Sequence, residues 1–233
     1  DLAVTEEEEE EEEEATPTLI PPMQTYSHTC AIKASATNAV YCWGNNGSGR
    51  LGDASTTNRN APVATIKITD SSALTNATQL TYSTDATCAL INDGTVWCWG
   101  ENSARKVGDG TINDRHRAKQ VSAFSGATHL CSATGGMQAV VTDGSLWWWG
   151  WANNPTHDAD NDELQCDEGD GNDFWGYLKT DGTVWMQGNN ASGQLGDGST
   201  TNTTSYNQVP GLTDVTQSAV NERMAACALK LDG

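Results

Sequence analysis

The sequence predicts an all-β fold, a β-propeller of about four to five blades that can be an incomplete ring, and three features support this prediction. A tryptophan- and glycine-rich segment recurs along the chain, a hairpin turn precedes it, and no segment keeps a helical period. Three full copies lie at 39–55, 95–111 and 183–199, and a fourth at 145–154 keeps only its first half. Successive copies are 56, 50 and 38 residues apart, close to the period of propeller blades.

Each copy starts with a predicted hairpin. In residues 87–100, TCALINDGTVWCWG, two short apolar strands flank a turn at 92–94, where glycine tolerates the positive φ that such turns need. Equivalent turns occur at 142–144 and 180–182. A G-x-N-x-x-G-x-L-G-D pattern follows the tryptophan strand in the full copies and predicts a compact loop, after which a further short strand completes the copy.

The charge of the chain is concentrated in two acidic islands. The net charge is −19, but residues 1–14 and 158–173 hold eighteen acids and leave 13 acids against 12 Lys and Arg elsewhere. Without a basic stripe, DNA or RNA binding is not expected, and no aliphatic run is long enough for membrane insertion. Residues 1–22 are predicted to be an acidic disordered leader with a proline linker, and residues 23–233 to be propeller repeats, the last one truncated.

The cysteines test the hairpin prediction. Cys88 and Cys98 lie five residues on either side of Asp93, so they face each other across the hairpin and favour a cross-strand disulfide. Cys30 and Cys42 repeat this arrangement around a turn two residues longer. In the other two hairpins both cysteines are missing, and paired presence or absence favours disulfides over buried free thiols.

The replacements for these cysteine pairs are Gln138 with Trp148 and Gly176 with Met186. Cys131 and Cys166 form a candidate non-local pair, whereas the expected mate of Cys227 would lie four residues beyond the end of the sequence. Because the histidines are scattered and no C-x-x-C occurs, zinc is not expected. Disulfides predict a secreted, extracellular or cell-surface protein. Sequons that would fit glycosylation in a suitable host stand at Asn46, Asn76, Asn190 and Asn202.

The pattern VWCWG followed by NNGSGRLGD resembles the repeats of the regulator of chromosome condensation family, in the cysteine-bearing style of secreted bacterial members. The resemblance covers residues 24–233, although the copy around Trp149 is degenerate. It implies a propeller, usually of seven blades, that acts as an interaction scaffold. Members include a nucleotide-exchange factor for a small GTPase and a secreted inhibitor of β-lactamases, but neither activity can be transferred here residue by residue.

The acidic island at 158–173 is the one candidate metal site. Aspartates at alternate positions place oxygen donors at a density that suits Ca²⁺, although only half of an EF-hand pattern is present, and a solvated acidic loop is the alternative. The candidate ligands are Asp158, Asp160, Asp162, Asp167 and Asp170.

The sequence contains no catalytic signature such as G-x-S-x-G or H-E-x-x-H, so a non-enzymatic protein is predicted. The leading hypothesis is a scaffold that binds a protein partner or assembles with itself outside the cell. One alternative is a Ca²⁺-dependent carbohydrate-binding module that uses the acidic loop and exposed tryptophans to bind glycans. A second alternative is an enzyme whose site is assembled across blades.

Overall fold

The computed structural model describes residues 23–24, 27–133, 135–157, 162–166, 174–220 and 226–230. These residues contain strands, turns and loops but no helix, and accordingly none of them belongs to a helix able to cross a membrane. The strands form four sheets of four strands and one of two strands, and the all-β prediction is confirmed.

Each sheet is one blade, and its strands follow one another in the chain as antiparallel neighbours. Blade 1 comprises β1 (Met23–Gln24), β2 (His28–Lys33), β3 (Ala39–Gly44) and β4 (Arg59–Ala64). Blade 2 comprises β5 (Ala77–Ser83), β6 (Ala86–Ile91), β7 (Val96–Gly100) and β8 (Arg115–Gln120). Blade 3 comprises β9 (Ala127–Ala133), β10 (Gly136–Val141), β11 (Leu146–Gly150) and β12 (Asn153–His157). Blade 4 comprises β13 (Glu163–Cys166), β14 (Phe174–Lys179), β15 (Val184–Gly188) and β16 (Thr203–Gln208), and blade 5 comprises β17 (Val215–Val220) and β18 (Ala226–Lys230).

The hairpin turns form as predicted. Gly94 has a φ of +78° and donates its backbone N–H to the carbonyl of Ile91, while the Asp93 carboxylate accepts hydrogen bonds from the backbone and hydroxyl of Thr95. A side chain on Gly94 would collide with the backbone of Gly126, so glycine serves both the turn geometry and the close approach of the next blade.

The predicted hairpin register is confirmed in all four complete blades. Cys30 pairs with Cys42 and Cys88 with Cys98, and both pairs are disulfide-bonded with Cα atoms 4.1 Å apart, as in non-hydrogen-bonded antiparallel pairs. The same register places Gln138 opposite Trp148 and Gly176 opposite Met186. In the last of these pairs the Met186 side chain occupies the space that a Gly176 side chain would need.

The first strand of each blade lies on the inner side of an arc that is not closed into a ring. β5 packs on β9 and β9 on β13, whereas β8, β12 and β16 are the outermost strands of their sheets. Buried apolar side chains fill the spaces between successive blades in separate clusters. Blades 2, 3 and 4 therefore bury their two faces mainly against their two neighbours, and blades 1 and 5 bury one face in this way.

Candidate functional surfaces

Three loops with the same internal geometry follow β3, β7 and β15. At the centre of each is a buried asparagine, at 46, 102 or 190, whose side-chain carbonyl accepts from the backbone N–H five residues later. In the first loop, the Asn46 amide donates to the Asp53 carboxylate and to the carbonyls of Ser55 and Thr57. The asparagine thus replaces the backbone pairing that the loop lacks, which explains its place in the repeat.

A buried aspartate and an arginine close two of these loops. Arg115 pairs with Asp109 in blade 2, and Arg59 pairs with Asp53 in blade 1 at 2.7 Å. Burial works against ionisation of Asp109, but hydrogen bonds from Thr111 and Arg115 outweigh it and hold the pKa of Asp109 below its ordinary value. Both carboxylates are occupied by their own loop, so they are structural groups rather than free acids.

This geometry corrects two of the glycosylation sites expected from the sequence. Asn46 and Asn190 are fully buried, and the amide nitrogen that would carry the glycan donates hydrogen bonds inside the loop. Glycosylation at either position is incompatible with the folded loop. Asn76 and Asn202 are exposed, and their modification stays a prediction.

A tryptophan from the next blade inserts into two of the loops. The indole N–H of Trp99 in β7 donates to the Arg50 carbonyl of blade 1 at 2.7 Å, and that of Trp149 in β11 donates to the Lys106 carbonyl of blade 2 at 2.9 Å. Both tryptophans are fully buried, and their rings lie against the loop glycines Gly52 and Gly108. Large aromatic side chains therefore fill the space between blades 1 and 2 and between blades 2 and 3.

Part of the predicted acidic loop is a strand. Residues 163–166 form β13, the inner strand of blade 4, so the island at 158–173 is not one continuous loop. Of the five candidate calcium ligands only Asp162 lies within the described residues. One of its oxygens pairs with Lys179 at 2.8 Å, and the other is buried with no hydrogen-bond partner among the described residues.

The remaining candidate ligands, Asp158, Asp160, Asp167 and Asp170, lie outside the described residues. Within the described part of the chain, no three His, Cys, Asp or Glu side chains are grouped as metal ligands would be. Calcium binding therefore stays a prediction. The buried oxygen of Asp162 is compatible with it, whereas the Lys179 ammonium would compete with a cation at the other oxygen.

A polar pocket of about 480 Å³ opens on the inner side of the arc. It is lined by equivalent positions of the inner strands, among them Gln79, His129, Gln165 and Gln217. Two of these glutamines tie neighbouring blades together, since Gln79 donates to the Leu130 carbonyl and Gln165 to the Ser218 carbonyl, both at 2.7 Å. Burial lowers the pKa of His129, which favours its neutral form. Two of the polar groups that line the pocket therefore also hold neighbouring blades together.

A second cavity, of about 260 Å³, lies on the outer rim where blades 1 and 2 meet. Its lining comes from the blade 1 segments around Ala54 and Ile68 and from the start of β8, including His116 and Arg117. This cationic site is not apparent from the overall composition, because the chain outside the acidic islands is nearly neutral on average. The signal was present in RHRAK at 115–119, where basic residues alternate with the period of a strand.

Residues 37–90 match the sequence model of the Regulator of chromosome condensation (RCC1) repeat. Among solved structures, the chain is similar to human WBSCR16 (15% identity, TM-score 0.69, 87% of this chain and 56% of that one). It is also similar to yeast RCC1 (Prp20) in complex with Kap60, with 15% identity and a TM-score of 0.64 over 89% of this chain and 53% of that one. The fold is that of an RCC1-type propeller.

A further similar structure is Prp20p from Saccharomyces cerevisiae, with 14% identity and a TM-score of 0.59 over 92% of this chain and 56% of that one. The chain thus spans a little over half the length of the RCC1-type structures that it matches. The resemblance to the regulator of chromosome condensation repeat is confirmed, and the style of secreted bacterial members stays a prediction. At this level of identity the likeness extends to the fold, and activity has to be argued from the surfaces.

Proposed function

We propose that this RCC1-type propeller is a non-catalytic scaffold that acts outside the cell and binds another protein. The proposal rests on one observation, which is that the recurring polar residues of the repeats form their hydrogen bonds with other groups of the fold. The Asn46 amide, the Asp109 carboxylate and the Trp99 indole are all satisfied by neighbouring segments. The variable outward side chains are left for recognition, as in other repeat architectures.

Two further observations support this proposal. Similar propellers bind proteins, since yeast RCC1 (Prp20) forms a complex with Kap60 and Prp20p has binding properties to Gsp1p and histones. Six cysteines form three disulfides, which persist in oxidising compartments and are rare in the cytosol. This second point supports the extracellular location.

The location can be tested by alkylation and peptide mapping of the protein from its natural source. We expect six cysteines of this chain to be alkylated only after reduction, because they form three disulfides: Cys30, Cys42, Cys88, Cys98, Cys131 and Cys166. Alkylation of all six in the freshly isolated, unreduced protein would contradict an extracellular location.

Binding can be tested on an array of purified secreted and cell-surface proteins, with the full chain as the probe and the reduced, alkylated chain as the control. A saturable partner that the control does not bind supports the scaffold. Glycan binding that is lost with a chelator would instead favour the carbohydrate-binding alternative. That alternative has less structural support, because of the described tryptophans only Trp151 is well exposed. Turnover in a broad hydrolase screen would contradict the non-catalytic proposal.

A further inference from the structure

The outer strand of blade 2 differs from the outer strands of the other complete blades. β8 reads RHRAKQ, whereas β4, β12 and β16 read RNAPVA, NNPTH and TTSYNQ. The first arginine of β8 and of β4 closes its own loop through an aspartate. What distinguishes β8 is the added group of His116, Arg117 and Lys119.

The two cations of this group are not paired with a carboxylate within the described part of the chain. Arg115 is paired with Asp109, but Arg117 and Lys119 make no ion pair there, and neither they nor the exposed His116 side chain form a hydrogen bond within that part. The other carboxylate at the cavity, Asp114, already accepts a hydrogen bond from the backbone of Asn102 at 2.9 Å. The two cations are therefore available to an outside ligand.

Blade 1 holds β8 rigidly in place. The Ala54 N–H donates to the His116 carbonyl at 2.7 Å, and Gly49 packs directly under His116, where any side chain would collide with it. On the other side, the Ile68 N–H donates to the Ala118 carbonyl and the Ala118 N–H donates to the Ile66 carbonyl. These two bonds form a parallel bridge in which Lys67 is paired with Ala118. The cationic strand is thus preorganised, which lowers the cost of binding.

The same bridge determines which side chains share a face. Because Lys67 pairs with Ala118 and side chains alternate along strands, Ile68 lies on the same side as Arg117 and Lys119. Ile68 is 37% exposed, and Ile112, three residues before β8, is 59% exposed. Arg117 and Lys119 are two residues apart, roughly 7 Å along a strand. This face combines two spaced cations with exposed aliphatic surface.

We propose that this face, made by Ile68, Arg117 and Lys119, binds an extended acidic segment of a protein partner. Carboxylates at alternate positions of a strand would match the spacing of the two cations, and an aliphatic side chain beside them would cover Ile68. A nucleic acid fits less well, because there are only two unpaired cations and the chain carries a net charge of −19. The proposal rests on the scaffold function and names the chemistry of its partner.

The test measures the fluorescence anisotropy of a labelled peptide, Gly-Glu-Leu-Glu-Leu-Glu-Gly, titrated with the full, oxidised chain. We expect saturable binding that weakens as salt rises, and a loss of affinity of about tenfold or more in R117E/K119E. The matched control is K33E/K230E, which changes the net charge equally at distant positions and should bind within about twofold of the parent. R117Q/K119Q should be intermediate, and unchanged thermal unfolding of each variant establishes that it folds.

Equal loss of affinity in R117E/K119E and K33E/K230E would overturn the proposal, because the attraction would then reflect net charge alone. A single-stranded DNA 12-mer that competes more strongly than unlabelled peptide, and loses that advantage in R117E/K119E, would overturn it in favour of a nucleic-acid surface. A protein partner that binds the parent and R117E/K119E equally would contradict this assignment while leaving the scaffold function intact. If the peptide binds as expected but no partner is found on the protein array, it is the scaffold function that fails.

Discussion

The contact between blades 2 and 3 and the contact between blades 3 and 4 join the same kind of sheets by different means. Between blades 2 and 3, Trp149 inserts into the loop of blade 2 and Gln79 ties the inner strands. Blade 3 has no such loop, since β12 begins three residues after Gly150. The position equivalent to Trp149 in blade 4 is Gln187, so the loop and its tryptophan are missing together.

Blades 3 and 4, whose contact lacks this loop and its tryptophan, are joined by a covalent bond. The Cys131–Cys166 disulfide joins the inner strands β9 and β13 directly. Among the described residues, the buried apolar cluster there comprises four, Cys131, Val140, Leu146 and Cys166, whereas thirteen form the cluster between blades 2 and 3. A repeat can therefore lack its loop and its aromatic partner, as blade 3 does, if the neighbouring blades are linked in another way.

The largest effect is expected from the tryptophan. Trp149→Ala removes a fully buried ring and leaves the Lys106 carbonyl without its donor, so we expect the free energy of unfolding to fall by about 3–5 kcal/mol in urea denaturation. The control is Trp43→Ala, at the equivalent position of blade 1, where the ring is only half-buried and forms no hydrogen bond within the described residues. Equal losses in the two variants would contradict the importance of the loop insertion.

The disulfides should contribute different amounts to the free energy of unfolding in the same denaturation experiment. In the chain-entropy view, closing 35 residues between Cys131 and Cys166 stabilises by about 3.8 kcal/mol, and closing 10 residues between Cys88 and Cys98 by about 2.7 kcal/mol. Double Cys→Ser substitution of the first pair should therefore cost about 1 kcal/mol more than that of the second. A smaller loss for the pair between blades would show that blades 3 and 4 hold together without their covalent link.

Acid should loosen the contact between blades 1 and 2, where His28 bonds to Thr87 at 2.9 Å. Burial and then the Arg50 guanidinium lower the pKa of His28 from 6.5 to about 4, so the folded protein binds this proton less readily than the unfolded chain. The stability from neutral His28 is present above pH 6.5 and is lost as the pH falls to 4, by up to about 3 kcal/mol.

Denaturation at pH values from 7 to 4 measures this loss of stability. The His28→Gln substitution should remove most of the dependence of the free energy of unfolding on pH. The part that stays reports His129, whose pKa burial also lowers, together with carboxylates such as Asp109 whose pKa the fold lowers. If the slope is unchanged in His28→Gln, the acid sensitivity does not arise at the contact between blades 1 and 2.

The smallest effect concerns the predicted calcium site beside the contact between blades 3 and 4. With a dissociation constant of about 0.1 mM, 1 mM Ca²⁺ would stabilise the fold by about 1.4 kcal/mol, visible as a rise in the thermal unfolding temperature. The double variant Asp158→Asn with Asp160→Asn should abolish the rise, and Mg²⁺ serves as the ion control. No rise with Ca²⁺ in the parent chain would remove the prediction.

The hairpins, their register and the two cross-strand disulfides follow directly from the order of the residues. These features are local, because a turn such as 92–94 fixes which residues face each other and alternation fixes the face of each. The pairing of Gln138 with Trp148 and of Gly176 with Met186 followed from the same rule. The RCC1-type fold followed because the repeats share one pattern.

The contacts between blades, in contrast, are visible only in the three-dimensional structure. The burial of Asn46 and Asn190, which excludes them as glycan sites, depends on how each loop closes around its asparagine. The cationic face on β8 depends on the bridge between Lys67 and Ala118, fifty-one residues apart in the chain. Such contacts join segments that lie far apart in the chain. Local periodicity and overall composition do not show which distant segments meet, so the sequence alone could not reveal these contacts.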